Sequence, residues 1–563
     1  MEDVRREVLR WALANASEHG GSASAKAVMG KVIAELPGWK SNVATLSKLV
    51  EEVVAEVNSM PAVEQLFQIK KVGAVEQHKQ EQRKGLQELP EVERFSRVVT
   101  RFAPNPNGPL HLGHARAAVL SHDYARKYNG KFILRFEDTN PENVMLEMYE
   151  LIKMDLRWLG LSWDEEHIQS DRMQLYYDYA EQLLGEGKAY VCTCEPGGFG
   201  KLRDAGEACP CREIPADENL VRWEKMMSGD FKEGEAVVRI KTDLAHPNPA
   251  VRDWPALRIV DDDHARVGKK YKVWPLYNFS VSIDDHEMGV THVLRGKEHE
   301  VNEERQRKLY GHLGWEYPVA VQYGRFSIPG SPLSKTQTMK AIKAGELVGH
   351  DDVRLATIAA LRRRGFLPEA LRQLVTEIGL TQVDSVLSWE TIFSHNRKLA
   401  DGVASRYFFV PDPVKLLVAG SPEIKEARLR THPSRPDAGE RILPLKRDGK
   451  VLVFHIPASD VAGLRVGDIF RLKDLMNVKL AFKDGALEAD FVSLTVADVP
   501  KFQWASAGAV GVEVTHPDGR VEPGLAEPAV TDVQPGTLVQ FERYGFARIE
   551  SVGPKVKAIY AHR

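Results

Sequence analysis

The chain has 563 residues, 43% hydrophobic and 28% charged, with 76 basic and 79 acidic side chains and a net charge of −3. That balance fits about three to five ordinary globular domains and excludes a disordered or fibrous chain. No apolar run approaches the roughly 18–20 residues of a membrane span. The first residues, MEDVRREVLRWALANASEHGG, lack the apolar core of a secretory signal, so the cytoplasm is the expected location.

Residues 1–60 place Val4, Val8, Leu9, Trp11 and Ala12, then Val43, Leu46, Leu49, Val50, Val53 and Val54, at helical spacing. The charged stretch 70–95 reads as an exposed helix or linker, ending around Pro90. Near residue 97 the pattern changes. SRVVTRFAP is a predicted strand, RAAVLSHDYARKYNG a helix closed by Gly130, and KFILRFED a second strand. Strand, helix and strand in this order make a βαβ unit of a parallel sheet. THVLRG, HEVNEERQRKLYGHLG and PVAVQYGRF repeat the arrangement further on. Between the halves lies a turn-rich segment that reads as an inserted module. Helices are expected again in 351–403, over DDVRLATIAALRRRGF and LPEALRQLVTEIGL. Arg362, Arg363 and Arg364 end the first of these, where the helix dipole and RNA phosphates explain them equally well. From 404 onward short runs such as KVLVFHIP, DIFRLKD, LVQFERYGFARIESV and KAIYAHR have the spacing of small antiparallel barrels.

All four cysteines, Cys192, Cys194, Cys209 and Cys211, fall in one segment as two C-x-C pairs separated by 14 residues. Four thiolates on two knuckles can surround a tetrahedral Zn²⁺, and with no fifth ligand nearby the site should be structural.

The phrase RFAPNPNGPLHLGHARAAV sits where the first strand turns into a helix. A helix N-terminus offers free N–H groups to an anion, Gly108 and Gly113 permit close backbone approach, and His111 and His114 can donate to phosphate. Pro104, Pro106, Gly108, His111, Gly113 and His114 together resemble the HIGH region of class I aminoacyl-tRNA synthetases, with Leu112 in place of isoleucine. LRFEDTNPENV resembles the phrase that follows in the glutamyl and glutaminyl members. SPLSKTQTMK resembles their KMSKS loop, with Ser334 and Lys335 retained, Pro332 in place of the first lysine and Thr336 departing from the usual ending.

This resemblance, from about residue 96 onward, implies a Rossmann-type α/β core with an inserted acceptor-binding module, a helical connector and C-terminal all-β anticodon-binding barrels. The corresponding division is 1–95 (helical extension), 96–175 and 271–336 (catalytic halves), 176–270 (insertion), 337–403 (connector) and 404–563 (barrels). It implies ATP with Mg²⁺ as substrate and metal and tRNA as partner. His111, His114 and Lys335 would act in catalysis, with Pro104, Gly108, Gly113 and Ser334 beside them around ATP. Adenylate formation asks mainly for positioning and charge stabilisation, which these residues can supply. Glu137 would take the α-ammonium of the amino acid, and Arg101 and Tyr277 would line its pocket.

Arg295 decides between glutamate and glutamine. It falls where glutamyl members carry arginine and glutaminyl members a small uncharged residue, and a buried arginine matches a carboxylate far better than an amide. Glutamate with tRNA(Glu) is therefore expected, glutaminyl-tRNA synthesis being the alternative. Val281, where bacterial glutamyl members place asparagine, and the β-rich C-terminus resemble the archaeal glutamyl form. A second acceptor, tRNA(Gln), and the oligomeric state, a monomer included, stay open.

Overall fold

The computed structural model describes residues 2–18, 21–72, 85–329, 335–483 and 486–563. The chain forms two compact units, Met1–Lys84 and Gly85–Arg563. In the first, helices Glu2–Glu18, Ala25–Glu35, Val43–Ser59 and Ala62–Val72 bury Val8, Ala12, Val32, Leu46, Val50, Val53 and Val57. Their i, i+3/i+4 spacing puts each set on one helical face. The centre of the charged 70–95 stretch, residues 73–84, lies outside the described residues.

The second unit begins with three parallel strands, Val99–Phe102, Lys131–Phe136 and Glu165–Ile168, with Val99 opposite Lys131. The first two are buried almost throughout, as parallel strands covered on both faces must be. Helix Leu112–Lys127 connects them. Asn129 takes the left-handed turn that ends this helix, with φ of 50°. Gly130 is needed for a different reason, because a Cβ there would lie 2.1 Å from the Val98 carbonyl oxygen.

A second parallel pair, His292–Gly296 and Val319–Tyr323, is bridged by helix Glu300–Leu313, which stops at Gly314 with φ of 71°. Thr291 joins the two sheets: its N–H donates to Val99 O at 3.0 Å, and its Oγ1 accepts from Val99 N at 2.8 Å. Strand Val99–Phe102 is thus central, and the chain leaves it to opposite sides. Such a switch point opens a crevice at the carboxyl ends of the strands.

Between the halves, strands Ala189–Cys192, Val237–Ile240, Pro255–Ile259 and Val273–Pro275 form an antiparallel sheet. Trp223, Trp254 and Trp274 fill the core it shares with helices Met173–Gly185 and Ala216–Ser228.

After the second half come helices Lys335–Lys343, Ile358–Arg364, Pro368–Ile378 and Trp389–Val403. The helix expected from residue 351 starts only at Ile358. Asp352 ties its carboxylate to Val348 N at 2.9 Å and Arg354 Nε at 2.8 Å, a turn that competes with helix, and Thr357 then caps through Ala360 N at 3.1 Å. The three arginines that end this helix have internal partners. Arg362 meets Asp155 at 3.3 Å, Arg363 meets Glu550 at 2.6 Å, and Arg364, 3% exposed, donates to Ala561 O at 2.8 Å. They fasten the connector to the catalytic half and to the C-terminal sheet.

Two seven-stranded sheets follow. One core holds Leu416, Phe454, Phe470 and Trp504, and the other Phe409, Val514, Val539, Phe541 and Ile549. The pairing is mixed rather than purely antiparallel. Pro413–Ala419 runs parallel to Ala486–Ser493, and Val510–Thr515 parallel to Val556–His562.

Candidate active site

A cavity of about 520 Å³ opens at the carboxyl ends of four of the five parallel strands. It brings together Arg101, Pro104, His111, Gly113, His114, Glu137, Tyr277 and Arg295. Gly108 is buried and does not line it. Lys335 heads helix Lys335–Lys343, while Ser334 and the Lys335 side chain lie outside the described residues.

At one end the two histidines cap helix Leu112–Lys127 reciprocally. His111 Nδ1 accepts from Gly113 N at 3.0 Å, and His114 Nδ1 accepts from His111 N at 3.3 Å. With Nδ1 as acceptor, each neutral ring carries its proton on Nε2, the form that can donate to a phosphate oxygen. The rings lie 3.8 Å apart at a 30° tilt. Gly113 suits this position, because a Cβ would lie 2.8 Å from His111 Cε1 and the ring would have to shift. The end of the helix therefore gathers N–H donors and a partial positive charge where an anion can approach.

At the other end the charges are buried. Asp285 accepts from Arg135 Nη1 at 2.7 Å and from Arg101 Nε at 3.2 Å. Arg135 also reaches Glu137 at 3.1 Å. Beneath them Asp284 is held by Arg172 at 2.8 Å, Gln169 at 2.8 Å and Tyr176 at 2.7 Å. Burial opposes ionisation of Asp285, but Arg101 and Arg135 outweigh it and hold the carboxyl below the usual range. For Glu137 burial wins over the same two arginines and lifts the carboxyl to about 7. Arg101 is thus anchored by Asp285, which sequence reasoning missed.

Arg295 is 5% exposed. Its Nη1 donates to Gln306 Oε1 and its Nη2 to the Tyr317 hydroxyl, both at 3.0 Å, while its Nε has no hydrogen-bond partner among the described residues. The Tyr277 hydroxyl lies 3.4 Å from His299 Nδ1, and burial, helped by the Arg295 charge, lowers His299 to about 4.

The four cysteine sulfurs all lie within 4.8 Å of one another, away from this cavity. Cys192 and Cys209 are 4.0 Å apart, and Cys194 and Cys211 3.7 Å. Bonds of about 2.3 Å to a tetrahedral zinc require sulfur separations of roughly 3.8 Å, so the set fits this ion. Thr193 N and Arg222 Nη1 donate to Cys211 Sγ at 3.5 and 3.8 Å, as outer donors to a thiolate do.

Residues 97–401 match the family described as tRNA synthetases class I (E and Q), catalytic domain. Residues 404–495 and 489–550 match two anticodon-binding domains of the same family. The chain belongs to this family of class I aminoacyl-tRNA synthetases. Relatives called glutamate–tRNA ligase are similar along its whole length. Those of Thermococcus kodakarensis and Pyrococcus abyssi are each 50% identical over 100% of both chains. That of Methanopyrus kandleri is 46% identical over 100% of this chain and 99% of its own. Aminoacyl-tRNA synthetases use ATP with Mg²⁺. Among the described residues, no helix is long and apolar enough to cross a membrane.

Proposed function

We propose that this chain is a glutamate–tRNA ligase acting in the cytoplasm. The glutamate α-carboxylate attacks the α-phosphorus of ATP, pyrophosphate leaves, and the glutamyl group then passes from the adenylate to the 3′ end of tRNA(Glu). His111 and His114 donate to phosphate oxygens, and Lys335 neutralises the departing pyrophosphate. Mg²⁺ bound together with ATP would supply further neutralisation of phosphate charge. Glu137 receives the α-ammonium, with Arg101 and Tyr277 shaping the same pocket.

The observation that carries the choice of glutamate is Arg295, a buried guanidinium at the cavity wall. Its nearest carboxylate oxygen among the described residues, Glu303 Oε2, is 3.9 Å away. A substrate carboxylate supplies the missing partner, whereas an amide leaves a buried cation poorly matched. The full-length likeness to glutamate–tRNA ligases supports the same choice.

The insertion, 176–270, takes the acceptor end of the tRNA. A structural Zn²⁺ on Cys192, Cys194, Cys209 and Cys211 braces it. The barrels, 404–563, read the anticodon. Charging of purified tRNA(Glu) and tRNA(Gln) with labelled glutamate and, separately, labelled glutamine tests this reading. Glutamyl-tRNA(Glu) is the expected product, and the tRNA(Gln) arm shows whether there is a second acceptor. Efficient glutamine transfer without glutamate transfer would overturn it.

A further inference from the structure

Arg295 is held from behind by neutral groups. Gln306, on helix Glu300–Leu313 and 1% exposed, accepts on one oxygen from Arg295 Nη1 at 3.0 Å and from the Tyr317 hydroxyl at 2.7 Å. That hydroxyl in turn accepts from Arg295 Nη2 at 3.0 Å. The Gln306 amide is oriented by its own donation to Asn278 Oδ1 at 3.2 Å. From Asn278 the chain of polar groups runs through Asn302, at 3.0 Å, to His299 at the cavity wall, at 3.1 Å. Every group in this chain is uncharged.

One carboxylate lies close enough to matter and is diverted. Glu303 Oε2 is 3.9 Å from Arg295 Nη2 but accepts from Gln322 Nε2 at 2.7 Å, while its Oε1 meets Arg307 at 2.7 Å. Asp285 is engaged by Arg101 and Arg135. A buried arginine usually keeps a carboxylate partner, since burying its charge alone is costly. Neutral acceptors engage both terminal nitrogens of the guanidinium without cancelling its charge, so much of its attraction is left for an incoming anion. A carboxylate at the Gln306 position would make the same hydrogen bond and quench that attraction.

We propose that Gln306, supported by Tyr317, is a positioning residue that sets discrimination between the acidic amino acid and its amide. It fixes Arg295 without giving it a hydrogen-bonded carboxylate, and Gln322 with Arg307 completes the arrangement by keeping Glu303 at 3.9 Å, outside hydrogen-bond distance. The proposal rests on the reading that Arg295 meets the side-chain carboxylate of glutamate.

The test uses the full chain with tRNA present and measures ATP–pyrophosphate exchange with glutamate and with glutamine. Wild type is compared with Gln306→Glu and with Gln306→Met, which keeps the size and removes the acceptor. Gln306→Glu should raise KM for glutamate and leave KM for ATP in place. It should lower the glutamate-to-glutamine ratio of kcat/KM at least about tenfold, as close charge pairs in binding sites do. Gln306→Met should lower that ratio less. A merely structural role would depress both amino acids together and make the Met variant the worse one; that outcome, or a ratio change under tenfold in Gln306→Glu, overturns the proposal. Should Gln306→Glu fail to fold, Gln322→Ala frees Glu303 toward Arg295 and must lower the same ratio, an unchanged ratio overturning the proposal. A wild type that prefers glutamine sinks the glutamate reading itself. A wild type that prefers glutamate beside an unmoved ratio in the variants sinks this inference alone.

Discussion

At one end of the cavity His111 and His114 cap a helix near the surface, His111 accepting from Gly113 N and His114 from His111 N. At the other end Arg101, Arg135, Glu137 and Asp285 sit in a buried lattice whose hydrogen bonds join three segments of the chain, and Arg295 beside them is held by Gln306 and Tyr317. On the proposed function, the difference follows from what each end must recognise. A nucleotide brings several charges of its own, so a helix end with two donors can serve it. An amino acid brings one distinguishing group, and telling a carboxylate from an amide requires a charge fixed before the ligand arrives.

The largest expected effect tests the exposed end. Lys335→Ala should slow adenylate formation by about 3–4 kcal/mol of transition-state stabilisation, two to three orders of magnitude, with little change in glutamate binding. Single-turnover measurement reads this directly, and a near-normal rate would remove Lys335 from the chemistry.

The insertion stands apart from both ends, so its metal should matter to tRNA more than to adenylate chemistry. Metal analysis should find about one zinc per chain. Chelation should raise amide exchange around residues 190–214 and lower tRNA charging, with global melting less affected, because the catalytic core does not depend on the ion for its packing.

The buried end carries a pH signature. Burial lifts Glu137 to about 7, so below that value its carboxyl is protonated and cannot pair with an ammonium. kcat/KM for glutamate should therefore rise with pH, about tenfold per unit below 7, and level off above it. Glu137→Gln should lower the plateau and flatten the slope. A wild-type profile without this limb would show that the carboxyl is not used in its ionised form.

Gly113→Ala is the mildest change. Its Cβ would crowd His111 Cε1 at 2.8 Å and spoil the reciprocal cap. The expected cost is about 1 kcal/mol of stability, with a several-fold slower adenylate step. An unaltered melting temperature would show that the ring can move aside.

The exposed end was legible in the sequence because its parts are neighbours along the chain. Pro104 through His114 make one local turn, and the cysteine pairs lie within 20 residues. The strands were legible because parallel strands covered on both faces read as continuous apolar runs such as KFILRF. The buried lattice was legible only in part. Arg295 and Glu137 stood out through motifs at strand ends. Asp285, Gln306 and Tyr317 gave no local signal, since each acts through partners far away in sequence, such as Arg101 on Asp285. The helix expected from 351 failed for a local reason, because Asp352 satisfies Val348 and Arg354 donors within four residues of itself, a turn that periodicity does not register.

Specificity through a preset buried charge is tested most directly by kcat/KM for glutamate and for glutamine, on wild type and Arg295→Cys, with the tRNA held constant. The variant should lose at least about 3 kcal/mol in glutamate use, because a buried carboxylate loses its charged partner. Its preference over glutamine should shrink, without an efficient glutamine enzyme resulting. An Arg295→Cys enzyme that kept the full glutamate preference would make Arg295 an ordinary strand-end residue and contradict the account.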